Sequence, residues 1–259
     1  MLADDRRRWL VEAVRRTGSL KTSEAERTLK VSRMTIHRDL DVLAGQGLLR
    51  KTHGGAISVE RDVFDPRARP FAERLAVASA AKRRIAAHVI GAVQGSRTLV
   101  LDSSSTVYYV AEALAREKWS EDPFIVTGSL QQFSELVRHR GNGVACHGGE
   151  AHHLTGTLVG PMALAGLGDL RFDWAIVSAM GVVLEDGAAF DGSPEEVAVK
   201  RAYLDRARRK LLAIDSSKIG MSGAYKLVNL ADFDVIVLET GVHVLREDRL
   251  ERLRPTKRT

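Results

Sequence analysis

The stretch Val31-Ser-Arg-Met-Thr-Ile-His-Arg-Asp-Leu40 decides the fold of the first quarter of the chain. Ile36, Leu40 and the following Leu43 stand at i, i+4 and i+7, one face of a helix expected from Arg33 to about Gly45. Ser32 is placed to cap its first turn. The opposite face near the start carries Met34, His37, Arg38 and Asp41, with Thr35 at its flank. Polar groups at the amino-terminal end of such a helix suit entry into a DNA major groove.

Upstream, Leu10, Ala13 and Val14 recur at helical spacing over residues 4–16, ending at Gly18. A second helix is expected to start after Thr22 or Ser23 and to end near Leu29 and Lys30. Ser23 and Glu26 stand three apart, the spacing of a capping box. Downstream, Gly45-Gln-Gly47 breaks the third helix, and residues 48–59 read as a hairpin turning at Gly54-Gly55. Three helices and a basic hairpin predict a winged helix-turn-helix. Charge points the same way: residues 1–59 hold 12 Lys/Arg against 7 Asp/Glu, while residues 60–259 hold 27 against 26. A basic surplus confined to one module is expected of a nucleic-acid binder, although a solvated basic face has the same composition.

Taken with Leu43, Gly47-Leu-Leu-Arg50 and His53-Gly-Gly-Ala56, the opening stretch closely resembles the amino-terminal signature of the DeoR family of bacterial transcriptional regulators. One position departs: His37 stands where the family usually has the first of two arginines, and histidine cannot form the same bidentate fork. The expected partner is double-stranded operator DNA. Thr35, His37 and Arg38 are expected to face it from the helix, Ser32 and Arg33 to sit on phosphates, and Lys51 and His53 to add wing contacts.

The domain boundary is expected near residue 60, with 60–80 a connector marked by Pro66, Pro70 and mixed charges. A helix from about Phe71 is expected to carry Leu75, Ile85, Val89 and Ile90 before Gly91. Beyond it, apolar runs at 98–101, 124–126, 144–146, 174–177, 211–214 and 235–238 read as buried strands. Residues 107–117, 130–138 and 195–210 read as helices between them. That alternation predicts a mostly parallel sheet with helices on its faces. The fold class is therefore α/β, a winged helix-turn-helix followed by a larger Rossmann-like domain at 81–259.

Ligands of such sheets bind beyond the carboxyl ends of the strands. Asp102-Ser-Ser-Ser-Thr106 follows one strand and enters a helix, a place where hydroxyls and amides can hold a phosphate. The same residues can also serve as a plain N-cap. Thr127, Gly148 with Gly149, Gly181, and Asp215 with Lys218 follow other strands. This half also resembles the DeoR effector domain, which is similar to ribose-5-phosphate isomerase. Matching residues include Asp102 to Thr106, Gly148, Gly149, Leu154-Thr-Gly156, Asp173, Gly181, Glu195, Lys200 and Asp215-Ser-Ser-Lys218. Two positions depart: Ser104 replaces the family's glycine, and Thr127-Gly128 replaces its usual Thr-Asn pair. The resemblance implies a repressor of carbohydrate genes, controlled by a phosphorylated sugar and working as a homodimer or homotetramer.

The alternative is a sugar-phosphate isomerase with a DNA-binding appendage, for which Asp173, Glu195, Lys200, Asp215 and Lys218 would supply acid and base groups. No cofactor or metal is expected; adjacent His152 and His153 point apart on most backbones. The single cysteine, Cys146, excludes an intrachain disulfide and reads as a buried, inert thiol. At 44% hydrophobic and 28% charged, the chain is neither disordered nor fibrous. The run 174–184 is too short to span a membrane, which takes about 18 or more apolar residues. The charged first residues lack the apolar stretch of a secretory signal, so the expected location is cytoplasmic.

Overall fold

The computed structural model describes residues 3–17, 19–46, 48–52, 54–58, 71–140, 143–152, 155–246 and 249–252, and divides the chain into two compact units, 1–68 and 69–259. The first unit runs α1 (Ala3–Thr17), β1 (Ser19–Lys21), α2 (Thr22–Leu29), α3 (Arg33–Gly45), β2 (Leu49–Thr52) and β3 (Gly55–Ser58). Its core joins Leu10, Ala13 and Val14 of α1 to Ile36, Leu40 and Leu43 of α3, as their spacing predicts. The hairpin turns between Thr52 and Gly55, which pair, so of the two expected turn glycines Gly54 lies in the turn and Gly55 opens β3; a third strand, β1, pairs antiparallel to β3. This strand changes the start of α2. The helix begins at Thr22, whose amide donates to the Gly54 carbonyl at 2.9 Å, so Ser23 falls inside the first turn instead of capping it. Lys30 follows α2 in the left-handed region at φ 52°. A non-glycine residue there costs about 1–2 kcal/mol, and it turns the chain sharply into α3.

The second unit opens with α4 (Phe71–Ala76) and α5 (Ser79–Val93), where one helix was expected. The break falls at Ala78, which adopts φ 52° and cannot continue a right-handed helix. Gly91, the expected stop, lies inside α5. Alternating elements follow: β4 (Thr98–Leu101), α6 (Ser105–Arg116), β5 (Phe124–Thr127), α7 (Leu130–Arg140) and β6 (Val144–Cys146). A short hairpin, β7 (Glu150–Ala151) and β8 (Leu158–Val159), precedes α8 (Pro161–Leu167). Then come β9 (Phe172–Val177), β10 (Gly181–Val183), β11 (Ala188–Asp191), α9 (Pro194–Arg206) and β12 (Ala207–Ala213). The unit closes with β13 (Tyr225–Asn229), β14 (Val235–Leu238), β15 (Gly241–Arg246) and β16 (Arg249–Arg252).

Eight strands make one sheet in the order β16-β15-β14-β12-β9-β4-β5-β6. The six from β14 to β6 are parallel, and β15 and β16 extend the edge antiparallel. Alternation along β4 shows how the core is divided. Leu99 and Leu101 pack with α5 and α6 on one face, while Val100 packs with α8 and α9 on the other. A three-stranded sheet, β10-β11-β13, lies on the α9 side. The helix expected over 195–210 stops at Arg206 because Ala207 turns extended and pairs with Phe172 at the start of β9. Sheet pairing there overrides the helix preference of Arg208, Arg209 and Lys210. Cys146 is only half-buried, since β6 is the sheet's edge strand.

Candidate functional site

In α3 the capping geometry matches the sequence pattern. Ser32 Oγ accepts the Thr35 amide at 3.3 Å and lies 3.0 Å from the Thr35 hydroxyl. Arg33, Met34 and Arg38 are exposed, and Thr35 and His37 are half-buried beside them. Asp39, between these residues and the core, carries a role the spacing did not reveal. It is buried and accepts from Arg6 Nε at 2.5 Å and Arg7 Nε at 2.9 Å, pinning α1 to α3. Lys51 of the hairpin donates to Asp41 of α3 at 2.6 Å. His53 lies outside the described residues.

In the second unit the loops at the carboxyl edge of the sheet converge. Asp102, buried after β4, receives the Ser104 amide at 2.9 Å on one oxygen and the Ser178 amide at 2.7 Å on the other. Lys200 of α9 stands 3.1 Å from Asp102 and 2.6 Å from Asp191, and donates to the Ser178 carbonyl at 2.9 Å. Burial alone would drive the Lys200 ammonium to lose its proton, but Asp102, Asp191 and Glu196 outweigh it and raise its pKa. Lys218 donates to the Ser178 hydroxyl at 3.2 Å and the Ala179 carbonyl at 2.7 Å. Burial lowers its pKa, partly opposed by Asp215. Asp215 itself is buried and accepts from the Ser217 hydroxyl.

The serine run forms the start of α6. Ser104 is its N-cap and accepts the Val107 amide at 3.1 Å, so the amides of Ser105 and Thr106 are without intrahelical acceptors. Ser103, Ser105 and Thr106 are buried, and Thr106 Oγ1 has no hydrogen-bond partner among the described residues. Lys82 of α5 completes this corner. Its ammonium donates to Ser105 Oγ at 3.0 Å and to the Arg74 carbonyl at 2.6 Å. Burial and the nearby Lys218 lower its pKa to about 8. Amides, hydroxyls and two cations thus gather near one helix start, groups whose chemistry suits an anion.

The other sequence-predicted residues do structural work around this corner. Thr127 is buried, and its hydroxyl donates to Gln132 Oε1 at 2.8 Å. Gln132 in turn donates to the Asp102 carbonyl at 2.7 Å, tying the loops after β4 and β5 together. Gly148 and Gly149 hold φ 81° and 122°, and a Cβ at Gly149 would stand 2.8 Å from both Ala163 and the Val159 carbonyl. At Gly181 a Cβ would stand 2.1 Å from the Met221 carbonyl oxygen.

Two of the proposed acid–base residues lie elsewhere. Asp173 is at the amino end of β9, the opposite sheet edge, where it accepts the Arg97 and Thr98 amides at 2.8 and 3.1 Å. Glu195 is exposed on the first turn of α9, accepting from Ser193 at 2.8 Å. Sequence reasoning assigned no site role to Lys82, Ser178, Asp191 or Gln132. Only Lys82 carried a signal, a charged residue on the apolar side of α5 beside Ile85 and Val89. Among the described residues no group of three or more His, Cys, Asp or Glu is arranged to hold a metal. None of their helices is long and apolar enough to cross a membrane.

A helix-turn-helix unit with a polar third helix, and an α/β unit whose sheet edge gathers amides, hydroxyls and cations, define the class: a DNA-binding regulator that carries a sensor domain. Residues 6–62 match the DeoR-like helix-turn-helix domain, and residues 77–240 match the DeoR C-terminal sensor domain. The chain belongs to the DeoR family of transcriptional regulators. It is 30% identical over 250 residues to the transcriptional repressor AccR of Agrobacterium fabrum, covering 96% of this chain and 95% of that protein. It is 29% identical over 236 residues to the glycerol-3-phosphate regulon repressor of Escherichia coli, covering 91% and 90%. It is 31% identical over 239 residues to the lactose phosphotransferase system repressor of Staphylococcus epidermidis, covering 92% of each. Among solved structures, ribose 5-phosphate isomerase from Plasmodium falciparum aligns at TM-score 0.39 and 17% identity, covering 53% of this chain and 52% of that one.

Proposed function

We propose that the protein is a cytoplasmic repressor of carbohydrate genes whose hold on operator DNA is set by a phosphorylated sugar. Residues 1–59 bind DNA through Ser32, Arg33, Thr35, His37 and Arg38 of the third helix region and through Lys51 and His53 of the wing. Residues 60–80, whose α4 packs within the second compact unit, connect this module to a sensor at 81–259. The observation that carries the reading is the corner of Ser103, Ser105, Thr106, Lys82 and Lys218, where amides and cations converge on one point at the sheet edge. Asp102, Ser104 and Lys200 fix the loop that presents these groups, and Asp215 stands beside Lys218. The glycerol-3-phosphate regulon repressor and the lactose phosphotransferase system repressor among the relatives favour an effector of this chemistry.

The reading is of a sensor rather than an enzyme, favoured by two of the five acid–base candidates, Asp173 and Glu195, standing away from the corner. A symmetric reader of paired half-sites implies a homodimer or homotetramer. The effector works only through its preference for one state of the protein, and DNA affects effector affinity reciprocally. Two variants test the division of labour. Arg38→Ala is expected to lose roughly 1–3 kcal/mol of operator affinity while keeping effector binding. Lys218→Met is expected to bind operator as the unaltered protein does and to lose its response to sugar phosphates. An Arg38→Ala protein with full operator affinity, or a Lys218→Met protein with a full response, contradicts the assignment.

A further inference from the structure

The second unit opens with a helix too short to stand alone. α4 has six residues, and isolated helices under about 12–15 residues are marginal in water. The last carbonyls of a helix have no partner within it, and here two of them are met from outside. Lys82 Nζ donates to the Arg74 carbonyl at 2.6 Å, and the Tyr109 hydroxyl donates to the Leu75 carbonyl at 3.1 Å. Phe71, at the other end, is buried against the edge of Tyr108, with ring centroids 5.5 Å apart. Leu75 adds a partly buried contact with the main core. The segment behind α4 is strained: Ala78 sits at φ 52° and gives α5 no side-chain cap. Its carbonyl accepts the Lys82 amide at 3.0 Å, so one lysine meets both the helix and its hinge.

Lys82 also faces the proposed phosphate corner. Its ammonium donates to Ser105 Oγ at 3.0 Å, in the first turn of α6. Thr106 Oγ1, in the same turn, is fully buried and has no hydrogen-bond partner among the described residues. An anion on the Ser105 and Thr106 amides would put full negative charge beside an ammonium that bonds a neutral carbonyl. A bond between two charged groups is the stronger of the two, so the anion draws the ammonium toward α6.

We infer that α4 is a latch closed by Lys82: an anion at the start of α6 draws the ammonium off the Arg74 carbonyl, α4 comes loose, and residues 71–78 join the connector to the DNA-binding unit. The inference rests on the sensing function proposed above and gives it a route. In a dimer, two DNA-binding units hold paired half-sites through the effective concentration that connector length sets. Once the sites are spanned, a longer connector weakens the paired complex and leaves single half-site binding unchanged.

The test is hydrogen exchange of the full chain, read at the amides of residues 75–77, with and without inorganic phosphate and triose, pentose and hexose phosphates. Calorimetric titration of the same compounds shows which of them bind. A ligand that binds is expected to speed exchange at 75–77 about tenfold, within the usual range of coupling between sites. Tyr109→Phe removes the second tie to α4 and leaves the corner intact. By linkage a looser α4 costs the ligand less, so this variant is expected to bind phosphate esters roughly two- to tenfold more tightly. Exchange at 75–77 that a bound ligand leaves unchanged or slows overturns the latch, and this measurement needs no variant. A Tyr109→Phe protein whose ligand affinity is unchanged or weaker overturns it as well. A chain that gives no heat with any phosphate ester overturns the sensing function itself, and the latch with it.

Discussion

The Lys82 ammonium is shared between two elements: it donates to Ser105 Oγ at the start of α6 at 3.0 Å and to the Arg74 carbonyl near the end of α4 at 2.6 Å. Tyr109 of α6 makes a parallel tie, its hydroxyl donating to the Leu75 carbonyl at 3.1 Å. The first helix of the second unit is thus held by a cation that also serves the proposed phosphate corner. An anion arriving at Ser105 would compete with the Arg74 carbonyl for that cation.

The titration of Lys82 gives this arrangement a pH signature. Its pKa falls from 10.5 in the unfolded chain to about 8 in the folded protein. Between those values the unfolded chain holds the proton and the folded protein does not, so stability rises with pH across this window. The full shift is worth on the order of 3 kcal/mol. Effector binding should run the other way, weakening as pH climbs through about 8 and the ammonium is lost. Lys82→Met is expected to flatten both profiles in parallel denaturation and calorimetric titrations. A variant whose profiles superimpose on those of the unaltered protein would show that Lys82 is not the titrating group.

Thr106 offers a separation of stability from binding. Among the described residues its buried hydroxyl has no partner, so the folded protein bears the desolvation cost of that group. Replacement by the isosteric valine is expected to leave stability unchanged or raise it by up to about 1 kcal/mol, while weakening sugar-phosphate binding. A Thr106→Val protein that melts well below the unaltered one, or binds equally well, contradicts the role.

Asp39 anchors the DNA-binding unit. Arg6 and Arg7 both donate to it, and without the carboxylate they lose a shared, nearly dry counter-charge. Both arginines retain some exposure, which limits the penalty. Asp39→Asn is expected to cost about 1–3 kcal/mol of this unit's stability, the range of hydrogen bonds to charged groups. Thermal unfolding followed at Trp9 in α1 reads this directly, and an unchanged midpoint would remove the anchoring role.

Asp41 and Lys51 form an exposed pair on the proposed DNA-facing surface. Such a pair adds roughly 0–1 kcal/mol to stability, so Asp41→Asn should leave folding nearly intact. It should also free Lys51 for a phosphate, tightening DNA binding and steepening its salt dependence by about one unit. Identical salt slopes would show that Lys51 makes no phosphate contact.

Periodic signals in the sequence carried the fold a long way. Ile36, Leu40 and Leu43 placed α3, and the short apolar runs placed six strands of the main sheet. Elements without a period were hidden. The three-residue β1 exists only through its pairing with β3, and Ala207 to Lys210 form a strand because β9 offers a partner. At the site, the Asp102 to Thr106 run was legible because strand, hydroxyls and helix start are adjacent in sequence. Lys82 lies far in sequence from Ser178, Asp191 and Lys200, and only the folded sheet brings them together. Gly128 was visible as a departure from the family pattern; the His147 and Tyr203 side chains that fill the space beside it were not.

The measurement that tests the central claim most directly is a salt-dependent DNA-binding titration on the protein's own upstream region, with and without a panel of sugar phosphates. A regulated repressor forms a sequence-specific complex whose affinity changes with one class of phosphate ester, a change that Lys218→Met abolishes. Weak binding that collapses with salt, shows no sequence preference and ignores every phosphate ester would contradict it.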